Sequence, residues 1–374
     1  MFMNTISIIG AGIGGLTLGN VLKQHPYDFT IYESAREIKP VGAGIMMAVN
    51  AMQVFDRLGL KEKIEKAGNK IHRITISNES LQPISKTEIL GLEKKYNSCN
   101  VAIHRAALQK ILVENIGSEH IQLGYSLLKI EKKENYALTF ENGIQKESKI
   151  IFGADGIKSQ VRSQIFTAGT IRNSGQKCWR GLVDFELPEK YHQEAFEVWG
   201  KGKRFGFVKI SEKKVYWYGC INEKSFDQHI MPADIFSDFD SLIVKLIEAT
   251  AKEDIICNTI TDLAPIPQWY TDNLCMIGDA AHATTPNMGQ GACQAIEDAY
   301  IIGRLLEKNS DFNAVFEEFQ KIRRKKVDYI VNTSRTIGKV SQWEHGNSLR
   351  NFLMRLIPES TNQKMAKKII ELEM

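Results

Sequence analysis

Residues 6–33 constrain the fold more than any other part of the chain. Ile6, Ile8 and Ile9 make a short apolar run, too brief for a helix, that leads directly into Gly10-x-Gly12-x-x-Gly15. Leu16, Leu18, Val21 and Leu22 then recur at helical spacing, and residues 29–32 form a second strand ending in Glu33. Strand, glycine turn, helix, second strand and terminal acid stand in the order of a dinucleotide-binding βαβ unit. The glycines allow a tight turn and close backbone approach to a pyrophosphate, and the free N–H groups of the helix face that anion. An acid at the end of the second strand accepts a ribose hydroxyl, which selects FAD or NAD over NADP for this half. A chain that begins this way is an α/β protein.

A second strand-loop-helix unit lies at residues 274–299. Leu274 to Ile277 are a buried-strand run closed by Gly278 and Asp279. The Asp279 carboxylate is thereby delivered at a strand's carboxyl edge, where open α/β sheets bind ligands. Pro286, Gly289 and Gly291 punctuate the loop, and Ala292, Ala295, Ile296, Ala299, Ile302 and Leu305 follow at helical spacing. Small residues around Gln290 bring the backbone close to a ligand, and a helix start favours negative charge developing on a planar heterocycle. An ordinary turn accounts for this stretch taken alone; beside the amino-terminal unit the ligand reading gains. Residues 148–156 repeat the theme, with a strand ending at Gly153-Ala-Asp155-Gly156 and a helix starting over 157–162.

A chain of 374 residues is long enough for a substantial core and about two domains. Its net charge of +4 argues for no polyanionic partner, so nucleic acid binding is not expected. The basic run at 321–326 sits among Phe316, Phe319, Ile322 and Val327 and reads as the solvated face of an amphipathic helix. Six cysteines lack C-x-x-C spacing, which suits reduced, mostly buried thiols rather than disulfides or a zinc site; no metal is expected. With neither a leader pattern nor about eighteen consecutive apolar residues, a cytoplasmic chain with no membrane span is expected.

Between these units, Gly42 and Gly44 precede a helix at 51–58 and permit close approach to a flat ring, or a plain loop. Residues 71–77 alternate as a half-buried strand, and 101–105 open a helix in which Arg105 can meet a phosphate. Strands at 121–125, 127–132 and 136–140 suggest a small antiparallel sheet. Residues 173–268 are aromatic-rich and alternating, an antiparallel sheet with one core face and one pocket face, followed by a helix at 235–250. Segments 1–70, 101–172 and 269–340 are therefore assigned to a discontinuous nucleotide-binding domain, 71–100 and 173–268 to a substrate domain, and 341–374 to a helical carboxyl end.

Three motifs together resemble the single-component FAD-dependent aromatic hydroxylases, the group A flavoprotein monooxygenases. They are Gly10-x-Gly12-x-x-Gly15 with Glu33, Gly153-Ala-Asp155-Gly156 with Ser159 and Arg162, and Gly278-Asp279 with Pro286 and Gly289-Gln-Gly291. Their order and spacing match over nearly the whole chain. The stretch after Thr284 looks most like the urate hydroxylase, zeaxanthin epoxidase and salicylate hydroxylase branch, with Cys293 where many members have Asn.

The resemblance implies roles. Gly10, Gly12, Gly14 and Gly15 would hold the FAD pyrophosphate; Glu33, Ser34 and Arg36 the adenosine ribose region; Gly44 and Arg105 further parts of FAD. Asp155 would serve FAD and a passing nicotinamide, and Gly278 and Asp279 the ribitol or pyrophosphate. Pro286, Gly289, Gln290, Gly291 and Ala292 would face the ring, the first three with Arg204 forming the catalytic set. Arg180, Arg204, Tyr216 and Tyr218 are candidate substrate contacts, each equally readable as core or surface, and His282 reads as structural.

The implied reaction takes NADPH or NADH and O2, needs no reductase partner, and hydroxylates an aromatic or conjugated small molecule through a flavin C4a-hydroperoxide. The protein's part is to position the reactants and exclude water. A reductase or dehydrogenase on the same fold, an epoxidase of an isoprenoid-type alkene and a non-catalytic nucleotide-binding protein remain open, as does monomer against homodimer.

Overall fold

The computed structural model describes residues 6–38, 43–166 and 169–372; Gly42 lies outside them. A six-stranded sheet holds the nucleotide-binding start. Its spatial order is Tyr270–Thr271, Leu274–Met276, Ile150–Gly153, Ile6–Ile9, Phe29–Glu33 and Ile121–Leu123. All neighbours pair in parallel except the first two. Its central strands are covered on both faces, which is why they read as unbroken apolar runs rather than alternating ones. Helices Ile13–Leu22 and Gly291–Leu306 pack on it.

A seven-stranded sheet takes its strands from residues 73–88 and 171–263, in the order Ile256–Leu263, Ile171–Asp184, Lys214–Asn222, Lys203–Lys209, Glu194–Trp199, Arg73–Ser77, Pro83–Glu88. One face carries Phe205, Phe207, Val215 and Trp217 against Phe236, Ile243 and Leu246 of the following helices. The other face carries Gln176, Cys178, Arg180, Glu197, Arg204, Tyr216 and Tyr218, as strand alternation requires.

Several expectations are corrected. Residues 101–105 do not open a helix: Asn100–His104 is a strand, and the helix begins at Arg105, with the His104 side chain accepting from the Ala106 N–H at 3.1 Å. Ile121–Leu123 joins the parallel sheet beside Ile31, and the small antiparallel sheet instead gains Gln145–Ser148. The strand expected at 71–77 breaks at His72, where the chain leaves the Asn69–Ile71 pairing for the seven-stranded sheet. The helix expected at 235–250 is two, Pro232–Ile235 and Ser241–Glu248, because Asp240 caps the second by accepting from Leu242 N–H at 2.9 Å. The helix expected from 157 contracts to a wide turn over Arg162–Phe166.

The basic run is the largest correction. Arg323 and Lys326 are buried in helix Phe312–Ser341, not solvated. Arg323 donates to Asp298 at 2.9 Å and to Glu297 at 2.7 Å, and Lys326 reaches Glu297 at 2.8 Å. Adjacent acids on the facing helix supply the compensation that burial of two cations demands.

All six cysteines are free thiols and all but Cys257 are buried. Among the described residues no helix is long and apolar enough to cross a membrane, and no cluster could hold a metal.

Candidate functional site

The glycine turn divides its labour. Gly10 has φ +107, and a Cβ there would lie 2.5 Å from the Ala154 carbonyl oxygen. A Cβ on Gly15 would collide with the Gly10 carbonyl, and one on Gly14 would stand 3.1 Å from Ala295 Cβ. These three therefore let strand, turn and neighbouring helix meet. At Gly12 a Cβ would meet nothing within 4 Å. Open space in front of the helix start is where a pyrophosphate fits.

Glu33 is drawn into the same turn. Its Oε2 accepts from Ala11 N–H at 2.7 Å, and its Oε1 from Ser34 Oγ at 3.0 Å and Ala35 N–H at 2.9 Å. The carboxylate is held in place with acceptor capacity left for a ribose hydroxyl. Ser34 and Arg36 lie exposed just beyond it.

Asp155 closes the turn after its strand by accepting from Gln160 N–H at 2.7 Å and Val161 N–H at 3.1 Å through Oδ2. Its Oδ1 is buried without a partner, and burial raises its pKa. An orphaned buried oxygen at a strand end is suited to a cofactor hydroxyl.

Asp279 is crowded by protein yet its side chain stays open to the cleft. That crowding raises its pKa, against the charges of His282 and Arg105. Its Oδ1 lies 3.8 Å from where a Cβ on Gly291 would stand, at the first turn of helix Gly291–Leu306. Arg105 is exposed, with no carboxylate in ion-pair range among the described residues. Pro286 and Gly289 (φ +62) are exposed, so the loop backbone is accessible ahead of that helix. The Gln290 side chain is not: its Oε1 accepts from Asn50 and Gln294, both at 3.0 Å, turning it inward. His282 donates from Nε2 to Asp298 Oδ2 at 2.7 Å, in keeping with a structural role.

The facing sheet carries a second polar group. Arg204 is 1% exposed and lies 3.0 Å from Glu197 Oε1 through NH1. Its NH2 donates to Asn287 of the Pro286–Met288 turn, so the sheet is tied to the loop beside the helix start. Tyr218 donates to Glu197 Oε2 at 2.7 Å and Trp199 to Oε1 at 2.8 Å. Arg204 is therefore neither a surface arginine nor a free cation. Tyr216 packs over Gly44, where any Cβ would strike its ring, so that glycine serves the contact between sheets. Arg180 stands half-buried on the same face, beside Tyr216 and Cys178, with no carboxylate in ion-pair range among the described residues. Leu182, Val208, Ala195, Met46 and Ile210 form an apolar cluster with Tyr216 on that face.

Glu197 and Asn287 were not singled out from sequence. Glu197 had one legible signal, an acid on the inward register of an alternating strand two residues from Trp199. Asn287 had none, because its role depends on a contact across 83 residues.

A cleft with an open glycine turn, an acid fixed for a ribose and a helix start facing an aromatic sheet defines a flavin-binding oxygenase fold. The chain belongs to the FAD-binding domain family, which matches residues 3–315, and is an FAD-dependent monooxygenase of the aromatic hydroxylase group. It is 34% identical to the aurachin C monooxygenase/isomerase of Stigmatella aurantiaca, over 94% of both chains. It is 31% identical to the 2-heptyl-3-hydroxy-4(1H)-quinolone synthase of Pseudomonas aeruginosa, over 98% of this chain and 97% of that one. Klebsiella pneumoniae HpxO in complex with FAD and uric acid superposes with a TM-score of 0.90 at 24% identity, over 98% and 96% of the two chains, a likeness of fold.

Proposed function

We propose that this protein uses NADH or NADPH and O2 to hydroxylate a quinolone-like heteroaromatic, one with a single oxygen-bearing edge and an apolar remainder. The observation that carries the reading is the asymmetry of the pocket face. Arg204 is charge-matched by Glu197, whereas Arg180 has no carboxylate in ion-pair range among the described residues and adjoins Tyr216, which packs with Leu182, Val208, Ala195 and Met46. A guanidinium of this kind binds a carbonyl or enolate oxygen and favours the electron-rich form of the ring. The apolar neighbours suit the rest of such a molecule and not one polar on every edge. The relative named for 2-heptyl-3-hydroxy-4(1H)-quinolone agrees with that shape.

FAD, when bound, accepts the hydride and carries the oxygen chemistry. Gly12 admits its pyrophosphate, Glu33 its ribose, Asp155 and Asp279 its hydroxyls, and Arg105 its phosphate. The Gly289–Ala292 amides stabilise negative charge on its ring. Arg180 orients the substrate, and Tyr216 and the sheet exclude water.

The test has two parts. Gly12→Val should fold, since its Cβ meets no protein atom, and yet bind no FAD. FAD-loaded wild-type protein should oxidise NADH or NADPH faster with a 2-alkyl-4-quinolone, without added reductase, and give a product one oxygen heavier. Urate turned over as well as the quinolone would refute the substrate class, and an obligatory reductase would refute the self-sufficient reaction.

A further inference from the structure

Helix Asn347–Arg355 is built inside out. Leu349, Phe352, Leu353 and Leu356 recur at i, i+3, i+4 and i+7, the spacing of a stripe that ordinarily faces a core. Here they are 58%, 56%, 51% and 60% exposed. Of its two arginines, Arg350 points inward instead. Arg350 is 2% exposed and donates to the carbonyls of Ser341 at 3.0 Å, Trp199 at 3.4 Å and Gly200 at 3.5 Å. Its guanidinium also lies 5.3 Å from the Trp199 ring centroid. A buried arginine satisfied by fixed carbonyls determines which face turns out. The apolar stripe is thus held outward by the fold itself.

Charge decides what covers it. Between residues 344 and 371 the acids are Glu344, Glu359 and Glu371, against Arg350, Arg355, Lys364, Lys367 and Lys368; Glu344 is paired with Lys224 and Glu371 with Lys95. Arg355 and the three lysines are exposed. Trp343 and Ile357 add exposed apolar surface at the two ends. Pairing with a second copy would set each basic cluster against itself. A stripe of two turns is also small beside the roughly 1,200–2,000 Å² of a stable protein interface. An apolar stripe ending in Arg355 and followed by a helix with exposed lysines matches the interface of an anionic bilayer, which accepts the leucines and attracts the cations.

We propose that this helix docks the enzyme on the surface of anionic membranes, lying in the interface without spanning it. The proposal is independent of the substrate reading above. The test is co-sedimentation of the FAD-loaded full chain with vesicles of phosphatidylcholine containing phosphatidylglycerol, and with vesicles of phosphatidylcholine alone. Wild-type protein should pellet with the anionic vesicles and be released by salt. Leu353→Glu with Leu356→Glu, both exposed, should keep FAD content and helicity while partitioning falls by about tenfold or more. Wild-type protein that stays in the supernatant with anionic vesicles, a double variant that pellets like wild type, or a solution dimer that the double variant splits would each overturn it.

Discussion

Two buried polar networks stand on either side of the cleft, and they are built to different rules. Behind the helix start, Arg323 joins Asp298 and Glu297, and Lys326 also reaches Glu297; two cations meet two acids, and all four side chains are almost wholly buried. Every charge there is answered within the protein. In the facing sheet, Arg204 meets Glu197, Gln176 and Asn287, but its Nε is buried without a partner and Tyr218 beside it is only partly buried. The first network is closed and belongs to stability. The second is incomplete and open on one side.

The largest expected effect comes from breaking the closed network. Arg323→Met should leave two buried carboxylates short of a partner and lower unfolding stability by about 3–5 kcal/mol, read from denaturant midpoints. Arg204→Met should cost clearly less, and an equal loss would erase the distinction between the two sites.

Acid provides the second test. Burial pushes the Asp298 carboxyl up, but His282 and Arg323 outweigh it and hold its pKa at about 2, against an ordinary 3.8. The folded value is the lower one, so its contribution is complete above about pH 4 and is lost as pH falls towards 2, amounting to about 2 kcal/mol. Stability measured across that window should drop, and less so in Asp298→Asn, although that variant begins less stable.

Breaking the open network should show in turnover. Arg204→Ala is expected to retain FAD and to lose hydroxylated product at least tenfold, about 1.4 kcal/mol, while hydrogen peroxide rises per NAD(P)H consumed. Unchanged coupling would leave Arg204 a purely structural residue. The smallest effect is expected for Tyr218→Phe, which removes one hydrogen bond to Glu197 worth about 1 kcal/mol and should shift KM for the substrate more than thermal midpoint.

The nucleotide-binding start, the strand-end acids and the helix after Gly291 were legible because each depends on local chemistry: glycine where no Cβ fits, an acid at a strand end, apolar spacing of a helix. The sheet that the strand at 121–123 joins was not, and the strand at 100–104 was read as a helix start, since short apolar runs carry no record of the sheet they join. The fate of charged residues was illegible for the same reason. Arg323 and Lys326 look like a solvated face, and Arg350 like its neighbour Arg355, until partners distant in sequence are brought within reach. Sequence determined that this chain folds into a dinucleotide-binding α/β protein with a flavin cleft, because backbone geometry is encoded residue by residue. Tertiary structure alone decided which arginines are answered by acids, which are not, and which face of the carboxyl-terminal helix meets the outside. Charge compensation is a property of distance in space, and a linear chain does not contain it.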